Sequence, residues 1–220
     1  MLPLVLFDID GTLLKTRSAG REALDEAFFA VHGWERATEG VHIGGSTDGM
    51  ICEDVSRKFA APVAVPAVQA HYLRGLSERL ADPTRTTVCP GVFALLDALQ
   101  GRAHVALLTG NWASGAAAKL AAARLGHAFG WGAYADDAVD RNHLLPIARA
   151  RAASRGLSPT RFVIIGDTPS DIACARAGDG EVIAVETGFG DPAALAAATP
   201  DLQVSDLRSG ADQVLRFLSR

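Results

Sequence analysis

The chain has 220 residues, 49% hydrophobic and 21% charged, with a formal net charge of −4. That is the composition of a globular protein, and its weakly acidic balance offers no broad electrostatic footprint for nucleic acid or an anionic membrane. No apolar run approaches the roughly 18 residues needed to span a bilayer, and no basic n-region precedes an apolar stretch as in a secretory signal.

Leu4–Phe7 reads Leu-Val-Leu-Phe, a short apolar run of the kind that forms a fully buried strand of a parallel sheet. It leads into Asp8-Ile9-Asp10-Gly11-Thr12. Residues i and i+2 of a strand share a side, so Asp8 and Asp10 are expected to crowd one point. Such crowding is unfavourable unless a cation sits between the charges or one carboxylate takes a proton. Taken alone, the segment also reads as a strand followed by an Asp-Gly turn.

From Ser18 to His32, Leu24, Phe28 and Val31 recur at helical spacing, and Gly33 is a stop signal. Gly44-Gly45-Ser46-Thr47-Asp48 is a loop that opens a second helix bearing Ile51, Val55 and Phe59. A third helix carries Tyr72, Leu76 and Leu80 on one stripe. After Pro83 the pattern changes to alternation. Helices are expected from Pro90 to Gln100, Trp112 to Leu125, Leu144 to Arg155, Ser170 to Ala177, Pro192 to Ala198 and Asp206 to Leu218. Strands are expected at Ala103–Leu108, Gly132–Ala135, Phe162–Ile165 and Val182–Val185. Such alternation implies βαβ units and a parallel sheet. The expected fold is therefore α/β: a doubly wound, Rossmann-like, mainly parallel sheet built from residues 1–14 and 84–220. An all-α cap, residues 15–83, is inserted after the first strand.

Three strands end in polar residues of one kind: Asp8-Ile9-Asp10-Gly11-Thr12, Thr109-Gly110-Asn111 and Gly166-Asp167-Thr168-Pro169-Ser170-Asp171. In a parallel sheet these ends lie along one edge, where chemistry concentrates. Four carboxylates with few neutral nitrogens suit a hard cation such as Mg²⁺. Thr109 with the amides of Gly110 and Asn111, at a helix start, offers donors for an anion. Acidic cluster, divalent cation and anion cradle together point to phosphate chemistry.

With these residues in place, the chain resembles the haloacid dehalogenase superfamily. Asp-x-Asp-Gly-Thr is similar to that family's first motif, the Thr109 strand end to its second, and Gly166-Asp167-x-x-x-Asp171 to its fourth. The helical insert resembles its type 1 cap. The resemblance implies that Asp8 is a nucleophile forming an aspartyl-phosphate, and that Asp10 is the general acid and base. It implies Mg²⁺ held by the Asp8 carboxylate, the Asp10 backbone carbonyl and Asp167, with Asp171 holding metal-bound water or orienting a basic group. The implied metal set is thus Asp8, Asp10, Asp167 and Asp171, and Thr109, Gly110 and Asn111 bind the phosphoryl oxygens. Asp10, where dehalogenases resemble Asp-x-Tyr, favours a phosphatase or phosphomutase. The family's third motif supplies a lysine. Here Arg141, within Asp140-Arg141-Asn142-His143-Leu144-Leu145-Pro146, takes the basic position, and Lys119 is its rival and a further phosphate-binding candidate. Lys119 lies about two turns into the helix after Thr109, so its stem starts some distance from the helix N-terminus.

The activity implied is Mg²⁺-dependent hydrolysis of a small-molecule phosphate ester, phosphoglycolate-phosphatase-like. A sugar phosphomutase and a non-catalytic binding or regulatory member of the fold are the alternatives. Neither nucleic acid nor membrane is an expected partner, and the chain is expected to be a monomer or homodimer. Cys52, Cys89 and Cys174 are odd in number and far apart, which suits buried reduced thiols in a cytoplasmic protein. The Gly44–Asp48 loop reads either as a substrate-selecting loop or as a plain helix start. Trp112 reads as packing or as a wall of the anion cradle, and Glu186–Gly190 as a segment bordering the site.

Overall fold

A computed structural model describes every residue of the chain except Phe189. Its sheet is built from β1 (Leu4–Phe7), β4 (His104–Leu108), β5 (Gly132–Ala133), β6 (Phe162–Gly166), β7 (Glu181–Val185) and β8 (Leu202–Val204). The order is β5-β4-β1-β6-β7-β8, and every pairing is parallel. β1 is central, with Leu4 opposite both His104 and Phe162. Its alternation explains the unbroken apolar run. Val5 and Phe7 enter the core on one face, while Leu4 and Leu6 enter the core on the other. Helices α4 (Val92–Leu99), α5 (Ala113–Ala122) and α9 (Ala211–Leu218) cover the first face. Helices α6 (Leu144–Ser154) and α7 (Pro169–Ala177) cover the second. A further helix, α8 (Pro192–Ala197), precedes β8.

Between β1 and β4 the chain forms α1 (Ala19–His32), α2 (Asp48–Phe59) and α3 (Val65–Leu80). They share their own core of Leu24, Phe28, Ile51, Val55, Tyr72 and Leu76. Ala19, Ala23 and Ala27 recur every four residues on α1 and are buried against this core. Gly75 on α3 faces Ala23, so the two helices approach closely there. Trp112 and Ala135, from the sheet-bearing part, complete the same cluster, so the helical insert is packed down on the sheet edge. The chain leaves and returns through a two-stranded antiparallel ribbon, β2 (Leu14–Lys15) with β3 (Thr87–Val88). Among the described residues no helix is long and apolar enough to cross a membrane.

The differences from expectation are local. The β2–β3 ribbon and β8 carry too few residues to show periodicity. The last helix starts at Ala211 rather than Asp206, because the Asp206 carboxylate accepts from Arg208 N and Ser209 N and holds a turn there. Cys52, Cys89 and Cys174 are buried free thiols.

Candidate active site

Because every core strand is parallel, the segments after β1, β4 and β6 meet at one edge. β1 ends at Phe7, and Asp8 still donates its amide to Ile165 O on β6 at 3.0 Å. The chain then turns: Leu13 N and Leu14 N both bond Ile9 O, and Gly11 takes φ 90°. Asp8 thus ends the strand and Asp10 stands at the start of the turn, and both line one cavity. Their carboxylates serve two different halves of the site.

On one half, Arg141 Nη2 donates to Asp8 Oδ1 at 3.1 Å and to Asp171 Oδ1 at 2.5 Å. Arg141 comes from a single 3₁₀ turn, Arg141–His143, that precedes α6. The second oxygen of Asp171 accepts from Thr168 N at 3.0 Å and Thr168 Oγ1 at 2.8 Å, as the capping box of α7. Asp167 Oδ1 accepts from Thr12 Oγ1 at 3.1 Å. Burial drives the Asp8 pKa well above the carboxylate range; Arg141 opposes this, and the neighbouring Asp171 and Asp10 add to it. Burial pulls the Arg141 pKa down, but Asp171 and Asp8 outweigh it and the net shift is upward.

On the other half, Lys119 Nζ donates to Asp10 Oδ2 and to Asn111 Oδ1, each at 2.6 Å. Asn111 Nδ2 donates to the same Asp10 oxygen and to Thr109 Oγ1, each at 2.8 Å. Burial pulls the Lys119 pKa down too, and Asp10, Tyr72 and Asp48 together leave it raised. Thr109 is fully buried and its hydroxyl accepts from Asn111, while the Gly110 amide makes no hydrogen bond among the described residues.

The structure thus brings all nine sequence-predicted residues to one edge, with one difference in detail. Arg141 and Lys119 are not rivals for one place: Arg141 holds Asp8, and Lys119 reaches back along α5 to hold Asp10. The Asp10 carboxylate faces Lys119 and Asn111 and lies outside the group of Asp8, Asp167 and Asp171, each of which offers one oxygen within 4.8 Å of the other two. That group is a hard-oxygen set around crowded, buried carboxylates, which fits a divalent cation. Gly11 and Gly188 press against it, since a Cβ on either would fall 2.4 Å and 1.7 Å from Asp167 Oδ2. Both Asp171 oxygens are already bonded within the protein.

The Gly44–Asp48 loop reaches this edge. Arg141 Nη1 donates to Gly45 O at 3.2 Å, Asp48 N to Gly110 O at 2.7 Å, and Trp112 N to Asp48 Oδ2 at 2.7 Å. Thr47 Oγ1 bonds Val139 O. Burial lifts the Asp48 pKa to about 7, against the pull of Lys119 and the Trp112 amide. Asp48 and Thr12 were not singled out from sequence. The Asp-Gly-Thr run carried a signal for Thr12, whereas Asp48 reads as an ordinary first-turn acid. Trp112 packs edge-on against Tyr72 of α3, with centroids 5.5 Å apart. In the Glu186–Gly190 segment, Thr187 Oγ1 donates to Gly11 O at 2.6 Å; the part of that reading that falls on Phe189 lies outside the described residues.

A cavity of about 360 Å³ lies between edge and insert, lined by Asp8, Asp10, Asn111, Lys119 and Arg141 below and by Arg21 among others above. Residues 2–179 match the haloacid dehalogenase-like hydrolase family. No curated protein matches the chain. The fold is similar to the crystal structure of a predicted phosphoglycolate phosphatase from Haemophilus somnus 129pt (17% identity, 97% of this chain and 98% of that one, TM-score 0.69). It is likewise similar to a hydrolase from Pseudomonas syringae (19% identity, 98% and 99%, TM-score 0.72). A third similar structure is CbbY from Rhodobacter sphaeroides in complex with phosphate (19% identity, 96% of each chain, TM-score 0.74).

Proposed function

Because the chain belongs to the haloacid dehalogenase-like hydrolase family, we propose that it is a Mg²⁺-dependent phosphatase of small phosphate esters that works through phosphorylated Asp8. The observation that carries this reading is the convergence of Asp8, Asp10, Lys119 and Arg141 on the wall of one cavity, beside the Asp8, Asp167 and Asp171 group. In this reading residues 15–83 are a cap over a core of residues 1–14 and 84–220. Its unpaired buried cysteines suit a cytoplasmic setting.

Asp8 attacks phosphorus, forming an Asp8–phosphorus bond as the ester oxygen leaves. Asp10 gives that oxygen a proton and later takes one from the water that cleaves the phosphorylated aspartate. Lys119 and Asn111 both bond Asp10 Oδ2, which fixes the carboxylate and leaves Oδ1 for the transferred proton. Arg141 holds Asp8 in line and offsets part of the charge gathered by nucleophile and phosphate. The Gly110 amide and the Thr109 hydroxyl supply donors for phosphoryl oxygens. Mg²⁺, held by Asp8 and Asp167, would supply charge neutralisation at the transferring group. The Gly44–Asp48 loop, held to Gly110, Trp112 and Arg141, excludes bulk water.

The test is a panel of phosphorylated metabolites and an aryl phosphate, assayed with Mg²⁺ and with chelator, alongside Asp8→Asn. Turnover that requires both Mg²⁺ and Asp8 is the expected result. Absence of turnover across the panel, from folded protein that binds Mg²⁺, overturns the reading.

A further inference from the structure

The cavity wall carries three carboxylates, Asp8, Asp10 and Asp48, and three cations, Arg21, Lys119 and Arg141. Each carboxylate already has a protein partner: Arg141 for Asp8, Lys119 for Asp10 and the Trp112 amide for Asp48. Two of the cations are matched in the same way. Arg21 is not. Its hydrogen bonds go to one neutral residue, from Nε to Thr38 Oγ1 at 3.1 Å and from Nη2 to Thr38 O at 3.0 Å. Among the described residues no carboxylate lies within ion-pair distance of it, and Nη1 makes no hydrogen bond to protein. Asp25, one turn along α1, gives its carboxylate to Thr38 N at 2.8 Å instead.

Arg21 is an exposed residue, and two further observations set it apart from a freely solvated arginine. Thr38 is completely buried, so the guanidinium is fixed by two bonds to an immobile anchor. Arg21 also stands in the first turn of α1, where the helix macrodipole disfavours a cation. Helix stability therefore gives no reason for its presence. What the placement does supply is a fixed, unneutralised, planar cation on the cap side of a cavity whose opposite wall holds Asp8. Guanidinium binds carboxylate and phosphate oxygens in pairs. Leu24, Val41, Ile43 and Ile51 line the space as well, which suits a short carbon chain.

We propose that Arg21 is the specificity-determining residue of this site and receives a second anionic group, carboxylate or phosphate, carried by a small phosphomonoester. This inference rests on the phosphatase reading above. It makes the preferred substrate a doubly anionic metabolite and assigns recognition of the second anion to the inserted helices.

The experiment uses three short alkyl phosphates of equal length, ending in carboxylate, in phosphate or in hydroxyl, with wild type, Arg21→Gln and Arg21→Lys. Wild type is expected to favour an anionic end over hydroxyl by at least tenfold in kcat/KM. Arg21→Gln brings that ratio toward one through KM, and Arg21→Lys restores part of it. The end group whose advantage falls more identifies the natural partner. A ratio that survives Arg21→Gln overturns the proposal, as does a wild type without the preference. Calorimetry with inorganic phosphate and with a short phosphonate ending in carboxylate separates the two claims. If wild type turns over none of the esters, the phosphatase reading fails. Arg21 is then still decided by whether Arg21→Gln weakens the phosphonate at least tenfold more than it weakens phosphate.

Discussion

Lys119 Nζ lies 2.6 Å from Asp10 Oδ2, joining the helix after β4 to the loop after β1 across the bottom of the cavity. The lysine side chain is 5% exposed and that of Asp10 30% exposed. Lys119→Met leaves a partly buried carboxylate without its cation, and the expected loss of stability is roughly 2–3 kcal/mol, below the 3–5 of a fully buried pair. Adding Asp10→Asn removes the stranded charge and should recover most of that loss while activity stays lost. Chemical denaturation of the two single variants and the double variant measures the coupling. Simple additivity would show that the pair is not a unit.

Arg141 is the second lever. Its guanidinium holds Asp8 and Asp171 from Nη2 and Gly45 O from Nη1. A lysine keeps the charge but has no fork with which to span these groups. Arg141→Lys is expected to lower kcat by roughly ten- to a hundredfold, the scale of an ångström-level misplacement. It is also expected to raise proteolysis within residues 44–48. Undiminished kcat in this variant would show that charge alone matters.

How much of this was legible in the sequence divides along physical lines. The sheet and its edge were legible because buried parallel strands are short apolar runs, and because Asp8, Thr109 and Asp167 each stand directly after one. The insert was legible from helical periodicity. The ribbon of Leu14–Lys15 with Thr87–Val88 was not, because two residues carry no period. Nor was the reach of Lys119: helix rise places its stem away from the helix start, but nothing in spacing reports that the side chain bends back to Asp10. Asp48 stayed hidden because a first-turn acid is ordinary helix chemistry, and only the fold shows it buried against Trp112.

That burial gives Asp48 a pH signature. Its pKa is lifted to about 7 in the folded protein, against about 4 for an ordinary carboxylate in an unfolded chain. Between these values the folded state holds the proton more tightly, so this group's contribution makes stability fall as pH rises from about 4 to 7, with the full penalty above 7. Asp48→Asn cannot ionise, yet its carbonyl can still accept from Trp112 N. From pH 5 to pH 8 the variant's stability relative to wild type should improve by up to a few kcal/mol. Thermal melts across that range check it, and an unchanging difference would contradict it.

Gly11 controls the acidic group from behind. Any other residue there meets a backbone φ of 90° and a Cβ 2.4 Å from Asp167 Oδ2. Gly11→Ala is expected to cost at least about 1–2 kcal/mol in backbone strain alone. By displacing Asp167 it should also weaken Mg²⁺ binding at least tenfold, as read by calorimetry on the folded variant. Unaltered Mg²⁺ affinity would place the cation elsewhere.

The most direct test of Asp8 as nucleophile is a single-turnover reaction with a labelled phosphate ester and excess protein, quenched in acid and mapped by peptide mass spectrometry. The expected result is one transient phosphoryl group on the peptide containing Asp8, absent from Asp8→Asn. Phosphoryl transfer to another residue, or full turnover by Asp8→Asn, would contradict it.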